Sequence, residues 1–182
     1  SKLASLEELE CIASLGFRGE ALPSIASVSR LQLSSRSADQ DSGWMICGDG
    51  GDRQQDPVPV AHPSGTTVEV RDLFFNTPAR RKFLRTEKTE FGHLEQVVKR
   101  LALVRHDVTF VLTHNGREVL CVQRASDLAS RERRLADLLD PGFVQNALYF
   151  EHAAAGLELS GWVARPTFSR SQADMQHFYV NR

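Results

Sequence analysis

Hydrophobic residues recur three or four positions apart over residues 91–104, and this spacing predicts one face of an amphipathic helix. Upstream, Thr77 supplies a hydroxyl suited to a helix cap, and Pro78 suits the first helical position. We therefore expect a helix entry at Thr77–Pro78 and a long amphipathic helix that ends near Arg105. Its apolar face is predicted to consist of Phe91, Leu94, Val97, Val98, Leu101 and Val104.

Alternating apolar and polar residues predict two strands before this helix. Leu31 and Leu33 are separated by polar residues, and Val68 and Val70 repeat the pattern within residues 67–70. A period of two is that of a half-buried strand, so we expect both valines to face inward.

The segment between these two strands, residues 37–56, is rich in Ser, Gly and Asp. Such a composition is typical of a solvated surface loop. Residues 44–47 (WMIC) are a strand candidate inside it. We expect mostly loop here.

A β-hairpin is predicted after the long helix. Apolar residues alternate over residues 108–112, and residues 119–122 supply a returning strand. The pair Asn115–Gly116 between them suits a type I′ turn, which requires positive φ at both positions.

A domain boundary is predicted within the small, polar residues 125–130. Beyond it we expect a helix over residues 131–139 that ends at 140–142 (DPG), and strands near Leu148, over 157–163 and over 178–180. The sequence therefore predicts an α+β fold, a mixed sheet covered by helices, with domains at 1–124 and 125–182.

The glycine loop at residues 16–19 (GFRG) lies between a predicted helix over 6–14 and another over 20–28. Free N–H groups at a helix start favour an anion, and glycine lets a phosphate approach the backbone. A purely structural turn is an equal alternative on these grounds. A second alternative is the GxxG clamp that KH domains close on single-stranded nucleic acid.

Composition narrows the other possibilities. The net charge of -1 neither requires nor excludes a nucleic-acid partner, and three cysteines and six histidines are scattered without the spacing of a metal site, so none is expected. No apolar run approaches the roughly 20 residues of a membrane span, and no signal peptide is visible, so we expect a cytoplasmic protein without a membrane partner.

One local charge excess stands out. Residues 76–105 contain eight basic and three acidic side chains. The cluster suits a phosphate backbone, although a solvated helix face with pairs such as Glu95 and Lys99 is the alternative.

Longer motifs resemble a known family. Residues 16–22 (GFRGEAL), then 65–70 (GTTVEV) and 72–83 (DLFFNTPARRKF), resemble in order the glycine motif and the last ATP-site motif of the MutL family of mismatch repair proteins, which are GHKL ATPases. The resemblance is closest to bacterial members and runs from the start of the chain to 178–182 (FYVNR). The family usually has a Gly between the Asn and the Arg, so Arg182 is not a matched position.

The resemblance implies a fold and a set of site residues. Residues 1–124 would be the later part of a GHKL α/β sandwich, from the ATP lid onward, and 125–182 the beginning of a ribosomal-protein-like, transducer-like second domain. The nucleotide-binding residues implied are Ser1 and Lys2 in the lid, Gly16, Phe17, Arg18, Gly19, Glu20, Ala21 and Leu22 in the glycine motif, and Thr66 beside adenine. With the family in view, the DNA-binding residues predicted from the basic cluster are Arg80, Arg81, Lys82, Arg85, Lys88 and Arg100.

The resemblance also implies an activity and partners. Family members bind ATP with Mg²⁺, dimerise through the N-terminal region when ATP is bound, bind DNA without sequence preference, and work with the mismatch sensor MutS and a downstream nuclease or helicase. Their catalytic Glu, Mg²⁺-binding Asn and adenine-reading Asp precede the lid. We therefore assign no catalytic residue here, and expect these 182 residues alone neither to hydrolyse ATP nor to bind it tightly.

Overall fold

The structure is a computed structural model that describes residues 19–51, 56–168 and 176–181. Contacts within the chain divide it into two units, residues 1–84 and residues 85–182. Each unit is described by itself. Both combine helices with antiparallel strands, which confirms the α+β fold class.

The first unit is built on a four-stranded antiparallel sheet with the strand order β3-β2-β1-β4. Its elements are α1 (Ala21–Ala26), β1 (Arg30–Arg36), β2 (Gly43–Gly48), β3 (Val58–Val60), β4 (Gly65–Arg71) and α2 (Pro78–Arg81). Pro23 falls in the first turn of α1, the only turn in which its missing N–H costs no hydrogen bond. The Ser29 hydroxyl, which is buried, donates to the Ile25 carbonyl at 2.7 Å after the helix ends.

Two strand predictions in this unit are confirmed, but the inward direction of the valines is not. Leu31 pairs with Val70 and Leu33 with Val68, so the four side chains share one face. Leu31 is only 5% exposed, yet Val68 and Val70 are 49% and 44% exposed. The alternation of apolar and polar residues correctly identified the strand. Burial of the valines would also require a layer over this part of the face, and the described residues do not cover it.

The segment predicted as mostly loop contains more regular structure than expected. Residues 44–47, the strand candidate, lie within β2. The next strand, β3, was not predicted because Pro59 stands at its centre. Proline is tolerated at a sheet edge, and among the described residues β3 is an edge strand paired with β2 alone.

In its described residues the second unit contains a long helix, two hairpins and two shorter helices. Its elements are α3 (Glu87–Val104), β5 (Phe110–His114), β6 (Arg117–Val122), α4 (Leu128–Leu138), α5 (Pro141–Gln145), β7 (Ala147–Ala154) and β8 (Leu157–Ala164). The predicted hairpin is confirmed: Asn115 and Gly116 connect β5 and β6 with φ of +50° and +74°, as a type I′ turn requires.

The predicted helix entry at Thr77–Pro78 and the predicted long helix that ends near Arg105 are both confirmed. The structure has α2 and α3 as separate helices, because Thr86 begins a new one: its hydroxyl accepts from the Thr89 N–H at 3.4 Å. Glu90 secures the same turn by accepting from the backbone N–H of Arg85 at 2.7 Å. Arg85 accordingly lies before the long helix.

The predicted apolar face of the long helix is only partly buried. Phe91, Val98 and Val104 are half-buried, whereas the exposed members are Leu94, Val97 and Leu101. Burial falls instead on Ala102 and Leu103 near the end of α3. The core of the unit comprises Ala102, Leu103, Val122, Leu135 and Leu138, with Phe110, Leu120, Leu139, Val144 and Trp162 packed against it.

Arg134 lies in this core and is only 3% exposed. Its Nε and Nη2 each donate to the Ala102 carbonyl at 3.0 Å, and Nη2 also donates to that of Arg105 at 3.0 Å. Its Nη1 donates to the Gln123 carbonyl and, at 3.4 Å, to that of Val122. Burial lowers the pKa of the guanidinium, opposed by Asp107. Arg134 thus fastens α4 to the ends of α3 and β6.

The structure extends one further prediction in this unit and contradicts another. Residues 140–142 end one helix and also begin another, because Asp140 caps α5 and Pro141 occupies its first position. Residues 178–180 are described but form no strand. The strands β7 and β8 are confirmed near their predicted positions. The boundary at 124/125 stays a prediction; the core just described takes residues from both sides of it.

Candidate nucleotide and DNA sites

The described part of the glycine loop leads directly into α1. Gly19 has φ of +72°, a conformation that side-chain-bearing residues rarely adopt, so glycine is required here. Glu20 precedes the helix without a side-chain cap, and Ala21 and Leu22 are its first residues. All four are exposed. Five predicted site residues lie outside the described residues, namely Ser1, Lys2, Gly16, Phe17 and Arg18.

Thr66 lies near the start of β4 and is exposed. Its side-chain oxygen is 2.8 Å from the hydroxyl oxygen of Ser35, the residue directly opposite on β1. The next residue, Thr67, lies on the other face of the strand, where its hydroxyl contacts His62 Nε2 at 2.8 Å. The two neighbouring threonines therefore have different partners.

The loop after β4 is fastened to the turn that follows α1. Asn76 Nδ2 donates to the Ser27 carbonyl at 2.8 Å, and the Phe74 N–H donates to the Val28 carbonyl at 2.7 Å. Phe74 is itself held at φ of +62°, an uncommon value for a residue with a side chain. The predicted phosphate-binding helix α1 and the basic helix α2 are thus joined through one anchored loop.

Half of the predicted DNA-binding residues lie in the first unit, and they are Arg80, Arg81 and Lys82. Arg80 and Arg81 form the end of α2, and Lys82 follows it. All three are exposed, and in the described parts of the chain no carboxylate forms an ion pair with them.

The other half lies in the second unit, and its three members are also exposed. Arg85 precedes α3, while Lys88 and Arg100 lie on it, about 18 Å apart along the axis and about 120° apart around it. Within residues 19–51, 56–168 and 176–181 none of the three has an ion pair. Arg100 adjoins Tyr179, whose hydroxyl donates to the Arg100 carbonyl at 2.9 Å.

The remaining charges of the cluster have partners. The expected pair of Lys99 and Glu95 is present at 2.7 Å, and Arg105 pairs with Asp107 at 2.7 Å, which raises the pKa of Arg105. The other two acidic residues are also engaged, Glu87 with His114 and Glu90 with the Arg85 backbone. The six cations predicted to contact DNA are thus those left without a carboxylate in the described structure.

Two expected absences concern only what the structure describes. In these residues no group of three or more His, Cys, Asp or Glu side chains is arranged to hold a metal ion. No helix among them combines the length and apolar character needed to cross a membrane.

Comparison with known proteins identifies the family. The chain is 60% identical over 181 residues to the DNA mismatch repair protein MutL of Azotobacter vinelandii and 57% identical to that of Cellvibrio japonicus. Each alignment covers 100% of this chain. The chain belongs to the MutL family. The sequence pattern of the family "DNA mismatch repair protein, C-terminal domain" matches residues 135–182.

The fold of a MutL protein supports the same conclusion. The structure resembles the Aquifex aeolicus MutL ATPase domain complexed with ADP, with a TM-score of 0.64 and 35% identity, covering 89% of this chain and 60% of that domain. The KH-like alternative is not supported. The chain spans less than a third of the length of the two MutL relatives, 28% and 29%.

Proposed function

We propose that the complete protein is a mismatch repair ATPase that uses its nucleotide state to switch dimerisation and couples mismatch recognition to downstream repair. By the complete protein we mean residues 1–182 together with the further sequence that MutL proteins carry. The observation that carries the proposal is the likeness of this chain to an ATPase domain complexed with ADP.

The nucleotide is ATP with Mg²⁺. We propose that the glycine motif at residues 16–22 presents backbone N–H groups to its phosphates, that Ser1 and Lys2 belong to the lid, and that Thr66 contacts adenine. Two observations support this proposal: the left-handed backbone of Gly19 immediately before α1, and the exposure of the Thr66 side chain on β4.

The DNA is bound without sequence preference through the phosphate backbone. Six exposed cations without carboxylate partners in the described residues support this proposal, and they are Arg80, Arg81, Lys82, Arg85, Lys88 and Arg100. Long flexible cations contact phosphates as charges and read no base edges by themselves. We expect affinity that depends on salt more than on sequence.

The partners follow from the proposed cycle. ATP binding would pair two copies of the N-terminal region, MutS would supply the signal that a mismatch is present, and a nuclease or helicase would act downstream. The cytoplasm is the proposed compartment.

The nucleotide site is tested by Gly19→Val in the complete protein. A β-branched residue is strained at φ of +72°, so nucleotide affinity should fall roughly tenfold or more. Gly116→Val is the matched control, since Gly116 has φ of +74° in the β5–β6 turn. Equal affinities in both variants, measured by calorimetry with a non-hydrolysable ATP analogue, would contradict the proposal. The 182-residue chain alone should release no phosphate from ATP.

The DNA site is tested by a salt titration of fluorescence anisotropy. If about four phosphates are neutralised, the slope of log affinity against log salt is about -0.9 for each, or a loss of roughly a hundredfold between 50 and 200 mM. Arg85→Glu in the complete protein should weaken binding to all sequences alike and reduce the slope by about one unit. Arg100→Glu should do less, because Arg85 precedes α3 in a segment with fewer acidic neighbours.

The control is Lys99→Glu, which reverses a charge that Glu95 already pairs. Its effect on the slope should be the smallest of the three. An unchanged slope in both arginine variants would mean that the cluster is only a solvated surface.

A further inference from the structure

The hydroxyl of Thr66 does not stand alone on its face of β4. Ser35 and Thr66 are register partners on β1 and β4, and their hydroxyl oxygens are 2.8 Å apart. Ser35 is half-buried and Thr66 exposed, so the outer member of the pair is the one that can reach a ligand.

The positions of the two hydroxyl protons determine what the Ser35 hydroxyl can do. Each hydroxyl has one proton to donate and two lone pairs to accept with. If Ser35 donates to Thr66, the proton of Thr66 is available to a ligand. If Thr66 donates to Ser35, the proton of Ser35 can turn to the Gly65 carbonyl, 3.3 Å away, and Thr66 can only accept. Ser35 therefore governs whether Thr66 presents a donor or an acceptor.

The surroundings hold Ser35 in place. The next residue on β1, Arg36, donates from Nε to the His62 carbonyl at 2.6 Å and from Nη1 to the Gln40 carbonyl at 2.9 Å. His62 in turn contacts Thr67 on β4. The ends of β1 and β4 are thus cross-linked by side chains in addition to the sheet hydrogen bonds, which leaves the Ser35 hydroxyl little freedom except rotation.

We infer that Ser35 is a positioning residue for the adenine edge, which it reaches through the hydroxyl of Thr66. This inference rests on the proposed role of Thr66 in nucleotide binding. The edge of adenine offers an acceptor at N1, and the Thr66 hydroxyl can donate to it when it accepts the proton of Ser35. Loss of Ser35 leaves the Thr66 hydroxyl without the partner that orients it.

The test measures nucleotide affinity in the complete protein with the variants Ser35→Ala, Ser35→Thr, Thr66→Val and the double variant Ser35→Ala/Thr66→Val. Ser35→Ala should weaken ATP binding about three- to tenfold, the range of one hydrogen bond, and Ser35→Thr should restore it. The double variant should bind no more weakly than Thr66→Val, because both changes remove the same contact.

A second ligand separates positioning from a structural role. Inosine triphosphate carries an acceptor where adenine has its amino group and a donor at N1, so the ratio of ATP to ITP affinity reports on this edge. We expect Ser35→Ala to lower that ratio by about the factor it removes from ATP affinity. The control Thr113→Val, which removes an exposed hydroxyl from β5 in the second unit, should leave the ratio unchanged.

Failure of the Ser35 inference can be told apart from failure of the proposed Thr66 contact. If Ser35→Ala leaves ATP affinity unchanged, or weakens ATP and ITP equally, while Thr66→Val lowers the ratio, the inference about Ser35 is overturned and the role of Thr66 stands. If Thr66→Val leaves ATP affinity unchanged, the proposed adenine contact itself fails, and the inference fails with it. Thermal unfolding of each variant verifies that the fold is intact.

Discussion

The two units of the chain differ in where their apolar side chains go. In the described part of residues 85–182 seven apolar side chains are buried, and five of them form one cluster where α3, β6 and α4 meet. In the described part of residues 1–84 Leu31 alone is buried, while Trp44, Val68 and Val70 are exposed. The second unit therefore contains its own core, whereas the sheet of the first unit has an uncovered face in the described structure.

This difference separates two kinds of substitution. A change in the core of the second unit removes contacts that the described residues supply, so it should appear as lost stability of the 182-residue chain. A change on the uncovered face of the first unit removes few such contacts and should leave stability nearly unchanged.

The largest effect is expected for Arg134→Met. Methionine fills a similar volume but donates to none of the carbonyls that the guanidinium serves, and a buried carbonyl without a donor costs about 1 kcal/mol or more. We expect the free energy of unfolding, measured with urea, to fall by roughly 3 kcal/mol or more. Arg133→Met, an identical change at an exposed neighbour, is the control. Equal losses in the two variants would refute the role assigned to Arg134.

A paired truncation sharpens the contrast between the units. Val122 is 0% exposed and Val68 is 49% exposed, so Val122→Ala should cost about 2 kcal/mol of unfolding free energy and Val68→Ala less than about 0.5. Both are measured by urea unfolding of the 182-residue chain. A comparable cost at Val68 would show that residues outside the described ones cover its face.

Elements that depend on neighbouring residues could be predicted from the sequence. The Asn115–Gly116 turn, the strands β1 and β4, and the hairpin strands β7 and β8 all follow from residues adjacent in sequence. The differences arose where one signal concealed a second element. Residues 140–142 end α4 and also begin α5, and Pro59 concealed the edge strand β3.

The candidate residues Gly19 and Thr66 were predicted from the family motifs, and the candidate DNA contacts from a local charge excess. Their structural partners were not predicted. Ser35 contacts a residue 31 positions away, Asn76 one 49 positions away, and Arg134 one 32 positions away. Such pairings depend on sheet register and on how helices pack. The local sequences at residues 34–36 (SSR) and 132–134 (ERR) do not indicate which hydroxyl or guanidinium will form such a hydrogen bond.

The smallest effect is expected at Glu87, in the first turn of α3. Hydrogen bonds from Asn115 at 2.8 Å and from His114 at 2.9 Å lower the pKa of this exposed carboxyl. Because the lowered pKa belongs to the folded state, Glu87 stabilises the fold at pH values above its ordinary pKa, and this contribution disappears as the pH falls through the lowered value. Glu87→Gln should therefore destabilise the chain slightly near neutral pH, and the difference from the unmodified chain should shrink in acid. Urea midpoints measured from pH 7 down to pH 3 test this, with Glu118→Gln, at an exposed position on β6, as the control. A difference that stays constant with pH, or one that is equal in the two variants, would mean that the contacts of Glu87 with the β5–β6 turn do not contribute to stability.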